Sequence, residues 1–327
     1  MRVAVLGSGS WGTALAIVLG RNGHDVLLLG RDPEETASIG RLRENLRYLP
    51  GFPLPPNVQA SLLGEPYEAD LAVIAVPSGA VRETAAFLPT GPARVVVASK
   101  GLEPHTGRFM ADVLLDARPE ARVGVLSGPN LAVEIARGVP TVALSAFARR
   151  EDAEAVQAAF TCARFRVSVT EDVVGVELAG ALKNVLAIGG GMSDGLGFGD
   201  NTKGAFLARG LMEVARLGAA LGARAETFLG PAGVGDLFAT ANSRLSRNYR
   251  VGLALGQGMT LGDALAEVGQ VAEGVPTSEA AEILARRHGV EIPVMAAIEA
   301  VLRGRVTPSK AVAMLMERTP RMDDFLA

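Results

Sequence analysis

The first half of the chain alternates short apolar runs with segments of helical spacing. The runs fall at residues 3–7, 25–30, 71–76, 94–99, 122–127, 141–146 and 165–170. Most are unbroken rather than alternating, which is the pattern of strands covered on both faces. The segments between them, such as 11–21, 79–88 and 108–117, repeat apolar positions at helical spacing. Strands alternating with helices predict a doubly wound α/β domain over residues 1–171. Beyond about residue 172 the strand pattern stops. Two long helical stretches, 172–192 and 203–222, precede amphipathic ones at 247–257, 260–267, 277–288, 293–303 and 308–317. Thr260 with Asp263 reads as a capping box, and Gly289 as a helix stop. Residues 172–327 are therefore expected to form an all-α domain. The proline-rich stretch 50–56 reads as a loop within the first domain.

Composition narrows the function classes. The 327 residues carry a net charge of −3, with acids and bases interspersed. That provides no basic field for nucleic acid and no polybasic membrane patch. The opening apolar run is too short for a signal peptide, and no apolar stretch is read as reaching membrane-spanning length. A cytoplasmic protein without stable membrane insertion is expected. The single cysteine, Cys162, excludes a disulfide within the chain and reads as a small buried hydrophobe. The three histidines (His24, His105 and His288) lack metal-ligand spacing, so no metal is expected. Lysine accounts for only four of 32 basic residues, at 100, 183, 203 and 310.

The first candidate chemistry follows the first strand. Gly7-Ser8-Gly9-Ser10-Trp11-Gly12 runs from a strand into a helix. In that context Gly7 permits a tight turn, Gly9 admits a pyrophosphate, and Gly12 lets helix and strand approach. It reads as a Rossmann-type dinucleotide site rather than a merely flexible strand–helix turn. The second strand ends in Gly30-Arg31-Asp32. Arg31 can pair with a 2′-phosphate or lie over the adenine, while Asp32 keeps NAD use open, so both NAD and NADP are expected. Later strands end at Ser99-Lys100 and at Ser127-Gly128-Pro129-Asn130, the edge where ligands collect in such sheets. Lys100 and Asn130 read as functional there, and Lys100 is the only lysine of the expected first domain.

A second signal lies in the apolar helix over 172–192, which carries Glu177, Lys183 and Asn184. Glu177 stands roughly 240° around the helix from Lys183 and cannot be its partner. A buried, unpaired ammonium is costly. Lys183 therefore faces a cavity, a distant partner or a cleft, or else snorkels at the rim. Burial lowers a lysine pKa and makes it usable as a general acid–base near neutrality. Ser246-Arg247-Asn248 opens another helix. Ser246 suits an N-cap, and Arg247 and Asn248 add donors for an anion, although a plain capped helix explains the same residues.

Together these stretches resemble the bacterial-type NAD(P)-dependent glycerol-3-phosphate dehydrogenase family. The match runs through 7–12, 98–101, 127–130, 177–185, 194–203, 233–240, 246–248 and 271–274, in family order. The most specific parts are Leu182-Lys183-Asn184-Val185 and the run from Asp194 to Lys203. The resemblance implies that NAD(P)H reduces dihydroxyacetone phosphate to sn-glycerol 3-phosphate, a glycerophospholipid precursor. It implies Lys183 as proton donor and acceptor. Lys100, Gly128, Asn130, Lys183, Asp236, Thr240, Ser246, Arg247 and Asn248 are implied at the substrate. Gly7, Gly9, Ser10, Trp11, Gly12, Arg31, Tyr48, Lys100, Ala132, Arg247, Val271 and Glu273 are implied at the cofactor. Many bacterial members carry threonine or serine where Asn130 stands. A homodimer is also implied. Two other readings are kept: another two-domain dehydrogenase for a 3-hydroxy acid or sugar acid, and a non-catalytic NAD(P)-sensing protein.

Overall fold

The computed structural model describes residues 1–89 and 93–317. Residues 318–327 of the expected helical domain lie outside that range. Two compact units emerge: Met1–Ser99 with Met110–Val173, and Lys100–Phe109 with Val174–Ala327. The segment that begins at Lys100 thus counts with the second unit. Lys100 was expected in the first domain; its strand ends at Val97, and the chain then departs.

Among the described residues the first unit carries ten strands: β1 (Arg2–Leu6), β2 (Asp25–Gly30), β3 (Glu44–Asn45), β4 (Leu49–Pro53), β5 (Val58–Leu62), β6 (Leu71–Ile74), β7 (Arg94–Val97), β8 (Arg122–Ser127), β9 (Thr141–Phe147) and β10 (Phe165–Thr170). Eight of them form one sheet in the order β10-β9-β8-β7-β6-β1-β2-β5. Neighbours pair in parallel except β8 with β9. The chain leaves β1 toward β2 on one side and later returns as β6 on the other. Strand order therefore reverses beside β1, where such sheets bind ligands. The helices of this unit are α1 (Ser10–Arg21), α2 (Pro33–Leu42), α3 (Val81–Thr84), α4 (Met110–Ala117), α5 (Ala132–Arg137) and α6 (Arg150–Phe160). α1 is buried continuously from Gly12 to Gly20, because small and aliphatic residues surround it on all sides. Val5, Leu15, Leu28, Val73 and Val96 belong to the aliphatic core of this unit.

All seven strands expected from apolar runs are present. The edge strand β5 was not expected, because Val58-Gln-Ala-Ser-Leu62 is mostly half-buried and not continuously apolar. The stretch read as a loop at 50–56 contains most of β4, which pairs antiparallel with β3. The helix expected over 79–88 is only four residues of α-helix between two 3₁₀ turns. Cys162 is exposed rather than buried. It sits in the turn between α6 and β10, where its amide donates to the Phe165 carbonyl at 2.9 Å.

The second unit is helical: α7 (Val173–Gly195), α8 (Asp200–Ala220), α9 (Ala225–Leu229), α10 (Asp236–Ala241), α11 (Arg247–Gly256), α12 (Leu261–Val268), α13 (Gly274–Arg287), α14 (Pro293–Leu302) and α15 (Pro308–Met316). The expected capping box forms, with Thr260 accepting the Asp263 amide, and Gly289 stands at φ +67° just past α13. α7 corrects one expectation. Its 23 residues are long and apolar enough to cross a membrane, but its most apolar window is 89% buried inside the protein. It is a core helix, and its glycines explain how it packs. A Cβ on Gly191 would stand 2.1 Å from the Tyr249 carbonyl oxygen, and one on Gly252 would stand 1.9 Å from that of Ile188. The backbones of α7 and α11 therefore touch, which only glycine allows.

Candidate active site

In the first unit the glycine-rich turn has the geometry the motif requires. Gly7 adopts φ +117°, and its Cβ would strike the Ala75 carbonyl at 2.6 Å. A Cβ on Gly12 would lie 1.9 Å from the Gly7 carbonyl oxygen, so helix and strand meet at bare backbone. Gly9 differs, because nothing lies within 4 Å of where its Cβ would stand. The turn is closed at its two outer glycines and open at the middle one. That is a cradle for a pyrophosphate at the start of α1, so a dinucleotide fits these residues. Ser10 begins α1, and the Trp11 indole donates to the Ala98 carbonyl at 2.9 Å. Arg31 is exposed just beyond β2, and Tyr48 is half-buried between β3 and β4. Ala132 opens α5. Gly128 packs against β9, where its Cβ would lie 2.7 Å from the Val142 carbonyl oxygen. The Asn130 amide donates to that carbonyl at 3.1 Å, while its own oxygen is buried without a partner.

The second unit gathers most of the remaining candidates. α7 places Lys183 in the interior, and a π-helical turn, Pro231–Gly235, runs straight into α10 and delivers Asp236. The Lys183 ammonium donates to Asp236 Oδ1 at 2.8 Å and to Thr240 Oγ1 at 2.6 Å. Lys100 donates to the other Asp236 oxygen at 2.8 Å. The distant partner that Lys183 demanded is thus a carboxylate 53 residues away. Burial is the largest influence on Lys183 and lowers its pKa to about 8; Asp236 pulls upward, and the charges of Lys100 and Arg247 push down. Burial alone would raise Asp236, but Lys100 and Lys183 outweigh it and hold the carboxyl below its ordinary value. One carboxylate therefore fixes two ammonium groups, and one of these can lose its proton near neutral pH.

α11 adds a second group of polar side chains at its start. Ser246 is buried and caps the helix by accepting the Tyr249 amide at 3.2 Å. Arg247 follows, with its pKa lowered by burial and supported by Glu273. Its Nη1 reaches the Gln270 side-chain oxygen at 3.5 Å. Asn248 is oriented by a chain of obligatory donors. The Gly274 amide can only donate, so the atom it meets at 2.9 Å is the Asn248 oxygen. Asn248 Nδ2 then donates to Asn184 Oδ1 at 2.9 Å, and Asn184 Nδ2 to the Lys100 carbonyl at 3.0 Å. An amide nitrogen has two hydrogens, so Asn248 keeps one free for an anion. Glu273 sits at the N-terminus of α13, and Val271 is exposed just before it.

Asn184 and Gln270 were not foreseen as site residues. Asn184 was visible as a polar residue in an apolar helix, one position past Lys183. Its use as a strut between Lys100 and Asn248 depends on long-range packing. Gln270 carried no signal at all. Asp32, read as keeping NAD use open, also caps α2, its Oδ1 accepting the Glu35 amide at 2.9 Å.

Comparison with known proteins bears on this geometry. Two family models match: the N-terminal part of NAD-dependent glycerol-3-phosphate dehydrogenase over residues 2–153, and its C-terminal part over 172–313. A protein of Desulfitobacterium hafniense named glycerol-3-phosphate dehydrogenase [NAD(P)+] is 45% identical over 322 residues, spanning 97% of this chain and 91% of the relative. One of the same name from Moorella thermoacetica is 47% identical, spanning 97% and 96%. Among solved structures, a glycerol-3-phosphate dehydrogenase from Coxiella burnetii superposes with a TM-score of 0.92 at 35% identity, covering 97% of this chain and 99% of that one.

Proposed function

Because the chain belongs to the NAD-dependent glycerol-3-phosphate dehydrogenase family, we propose that its buried Lys183 is the acid–base group of a reaction that interconverts dihydroxyacetone phosphate and sn-glycerol 3-phosphate. The chain is an NAD(P)-dependent oxidoreductase. The observation that carries the residue assignment is Lys183, held by Asp236 and Thr240 with its pKa lowered to about 8. A bound NAD(P)H supplies the hydride for the carbonyl carbon. Lys183 gives a proton to the oxygen that becomes the alcohol and recovers it in the reverse direction. Asp236 keeps that ammonium aimed, and Lys100 adds positive charge for the developing oxyanion. Thr240 accepts from Lys183 and fixes its direction.

The phosphate is assigned to the start of α11. Three cations, Lys100, Lys183 and Arg247, stand against two carboxylates, Asp236 at the lysines and Glu273 at Arg247, which leaves one net positive charge for an anion. Ser246, Arg247 and Asn248 present a helix N-terminus, a guanidinium and a free amide hydrogen to it. Gly128 and Asn130 complete the proposed substrate set. Gly7, Gly9, Ser10, Trp11, Gly12, Arg31, Tyr48 and Ala132 are assigned to the cofactor, with Lys100, Arg247, Val271 and Glu273. The boundary between cofactor domain and helical domain is proposed near residue 171. A homodimer working in the cytoplasm and supplying a glycerophospholipid precursor completes the reading. Reduction of dihydroxyacetone phosphate, followed by cofactor absorbance with NADH and NADPH in separate runs, tests it; no turnover with either cofactor refutes it.

A further inference from the structure

The first unit holds a charged cluster that the reading above leaves unused. It lies where β2 ends at Gly30, the place at which such folds meet the adenosine ribose. One oxygen of Asp32 caps α2. A second carboxylate stands close by. The Glu35 side chain is only 13% exposed. One of its oxygens accepts from Ser8 Oγ, inside the glycine-rich turn, at 3.3 Å. The other pairs with Arg47 Nη1 at 3.2 Å. Arg47 is largely exposed and lies 5.1 Å from the centre of the Tyr48 ring.

The hairpin that bears Arg47 is fastened to the same turn. Asn45 is fully buried, and its amide donates to the Ser8 carbonyl at 2.7 Å and to Thr13 Oγ1 at 2.9 Å. Its oxygen accepts the Tyr48 amide at 3.1 Å. Beside them, a Cβ on Gly30 would stand 2.4 Å from Thr36 Oγ1 and 2.9 Å from Ser8 Oγ. Thr36 Oγ1 is buried without a hydrogen-bond partner. An unsatisfied hydroxyl over bare backbone, beside the Ser8 hydroxyl that bonds the Glu35–Arg47 pair, is a built polar subsite.

We propose that the Glu35–Arg47 pair, and not Asp32, reads the 2′ position of the adenosine ribose. This rests on the glycine-rich turn being the dinucleotide site. Glu35 serves a 2′-hydroxyl by accepting a hydrogen bond from it. A 2′-phosphate cannot share that place with a carboxylate unless positive charge comes with it. Arg47 supplies that charge, together with Arg31. An ion pair to an exposed arginine is weak, so Arg47 can trade Glu35 for the phosphate. The pair thereby lets one subsite accept both NADH and NADPH, and sets the ratio between them.

Two probes isolate the subsite without turnover: AMP and adenosine 2′,5′-bisphosphate, titrated calorimetrically into the full-length protein. Arg47→Ala should weaken the bisphosphate about tenfold, the scale of one charge-assisted hydrogen bond, with AMP little changed. Glu35→Gln should tighten the bisphosphate and weaken AMP, moving their ratio about tenfold the other way. Asp32→Asn keeps the cap and should leave the ratio alone. A ratio unmoved by both Arg47→Ala and Glu35→Gln, or moved by Asp32→Asn instead, overturns the proposal. If wild-type protein binds neither these probes nor NADH nor NADPH, the dinucleotide reading itself falls. Dinucleotides that bind, with an unmoved ratio, remove only the Glu35–Arg47 assignment.

Discussion

Lys183 and Asp236 show what a single residue can and cannot reveal. A lysine inside an apolar helix is legible because a buried ammonium is costly unless something answers it. The sequence shows the demand, and the helix geometry excludes Glu177 as the answer. Asp236 carries no such mark, since an aspartate opening a short helix looks like an ordinary first-turn acid. Only the fold brings it within 2.8 Å of both Lys100 and Lys183. Its effect on proton transfer is testable. Asp236 opposes the lowering of Lys183, so Asp236→Asn should move the pKa of Lys183 below about 8. Reduction needs the protonated amine, so kcat for dihydroxyacetone phosphate should fall as pH rises through that value. Oxidation needs the neutral amine and should rise through it. In Asp236→Asn both midpoints should shift to lower pH, and pH profiles of kcat in each direction check this. Unmoved midpoints would mean that Asp236 does not govern the titrating group.

At the scale of elements, strands with both faces covered were the most legible. An unbroken apolar run has few other uses, and all seven expected runs are strands. β5 and the β3–β4 hairpin escaped because their residues alternate or include prolines and are partly exposed. The start of α11 was legible as a cap, since Ser246 does accept the Tyr249 amide. Whether that cap holds an anion is a separate claim. Arg247→Ala should weaken dihydroxyacetone phosphate by on the order of 2–4 kcal/mol, through loss of a forked partner to a dianion. Unphosphorylated dihydroxyacetone should be affected far less. Comparable losses in kcat/KM for the two substrates would make Arg247 structural.

α14 has a buried carboxylate at its head. Glu213, on α8, accepts the Val294 amide at 2.7 Å and the Met295 amide at 3.2 Å. Burial raises its pKa from 4.5 to about 7, against the pull of those two amides. A raised folded-state pKa favours folding below the unfolded value, and that advantage fades as pH climbs through the folded one. Glu213 should therefore contribute fully below pH 4.5 and lose its contribution through about pH 7. The span is on the order of 3 kcal/mol at most. Glu213→Gln keeps one acceptor for the amides and cannot ionise. Its Tm relative to wild type should be higher at pH 8 than at pH 5. An equal difference at both pH values would contradict the shift.

For the whole molecule, the division into an α/β half and a helical half was legible from the end of the strand pattern near residue 172. The attachment of Lys100–Phe109 to the second unit was not. A lysine just past a strand looks like part of that strand's domain. Its true neighbours are Asp236, through the ammonium, and Asn184, through the carbonyl. The central claim is that a lysine able to release its proton drives hydride exchange on a phosphorylated ketone. The chain uses arginine for all but four of its cations, so Lys183→Arg asks whether charge alone suffices there. Arginine keeps its proton at working pH. The decisive measurement is kcat for dihydroxyacetone phosphate reduction by saturating NADPH or NADH, in wild type, Lys183→Arg and the exposed control Lys310→Arg. Cofactor affinity and Tm are recorded for each variant. The account predicts wild-type turnover, a nearly silent Lys310→Arg, and a folded, cofactor-binding Lys183→Arg that is slower by roughly 10²–10⁴-fold. A folded Lys183→Arg enzyme with near-normal kcat would contradict it.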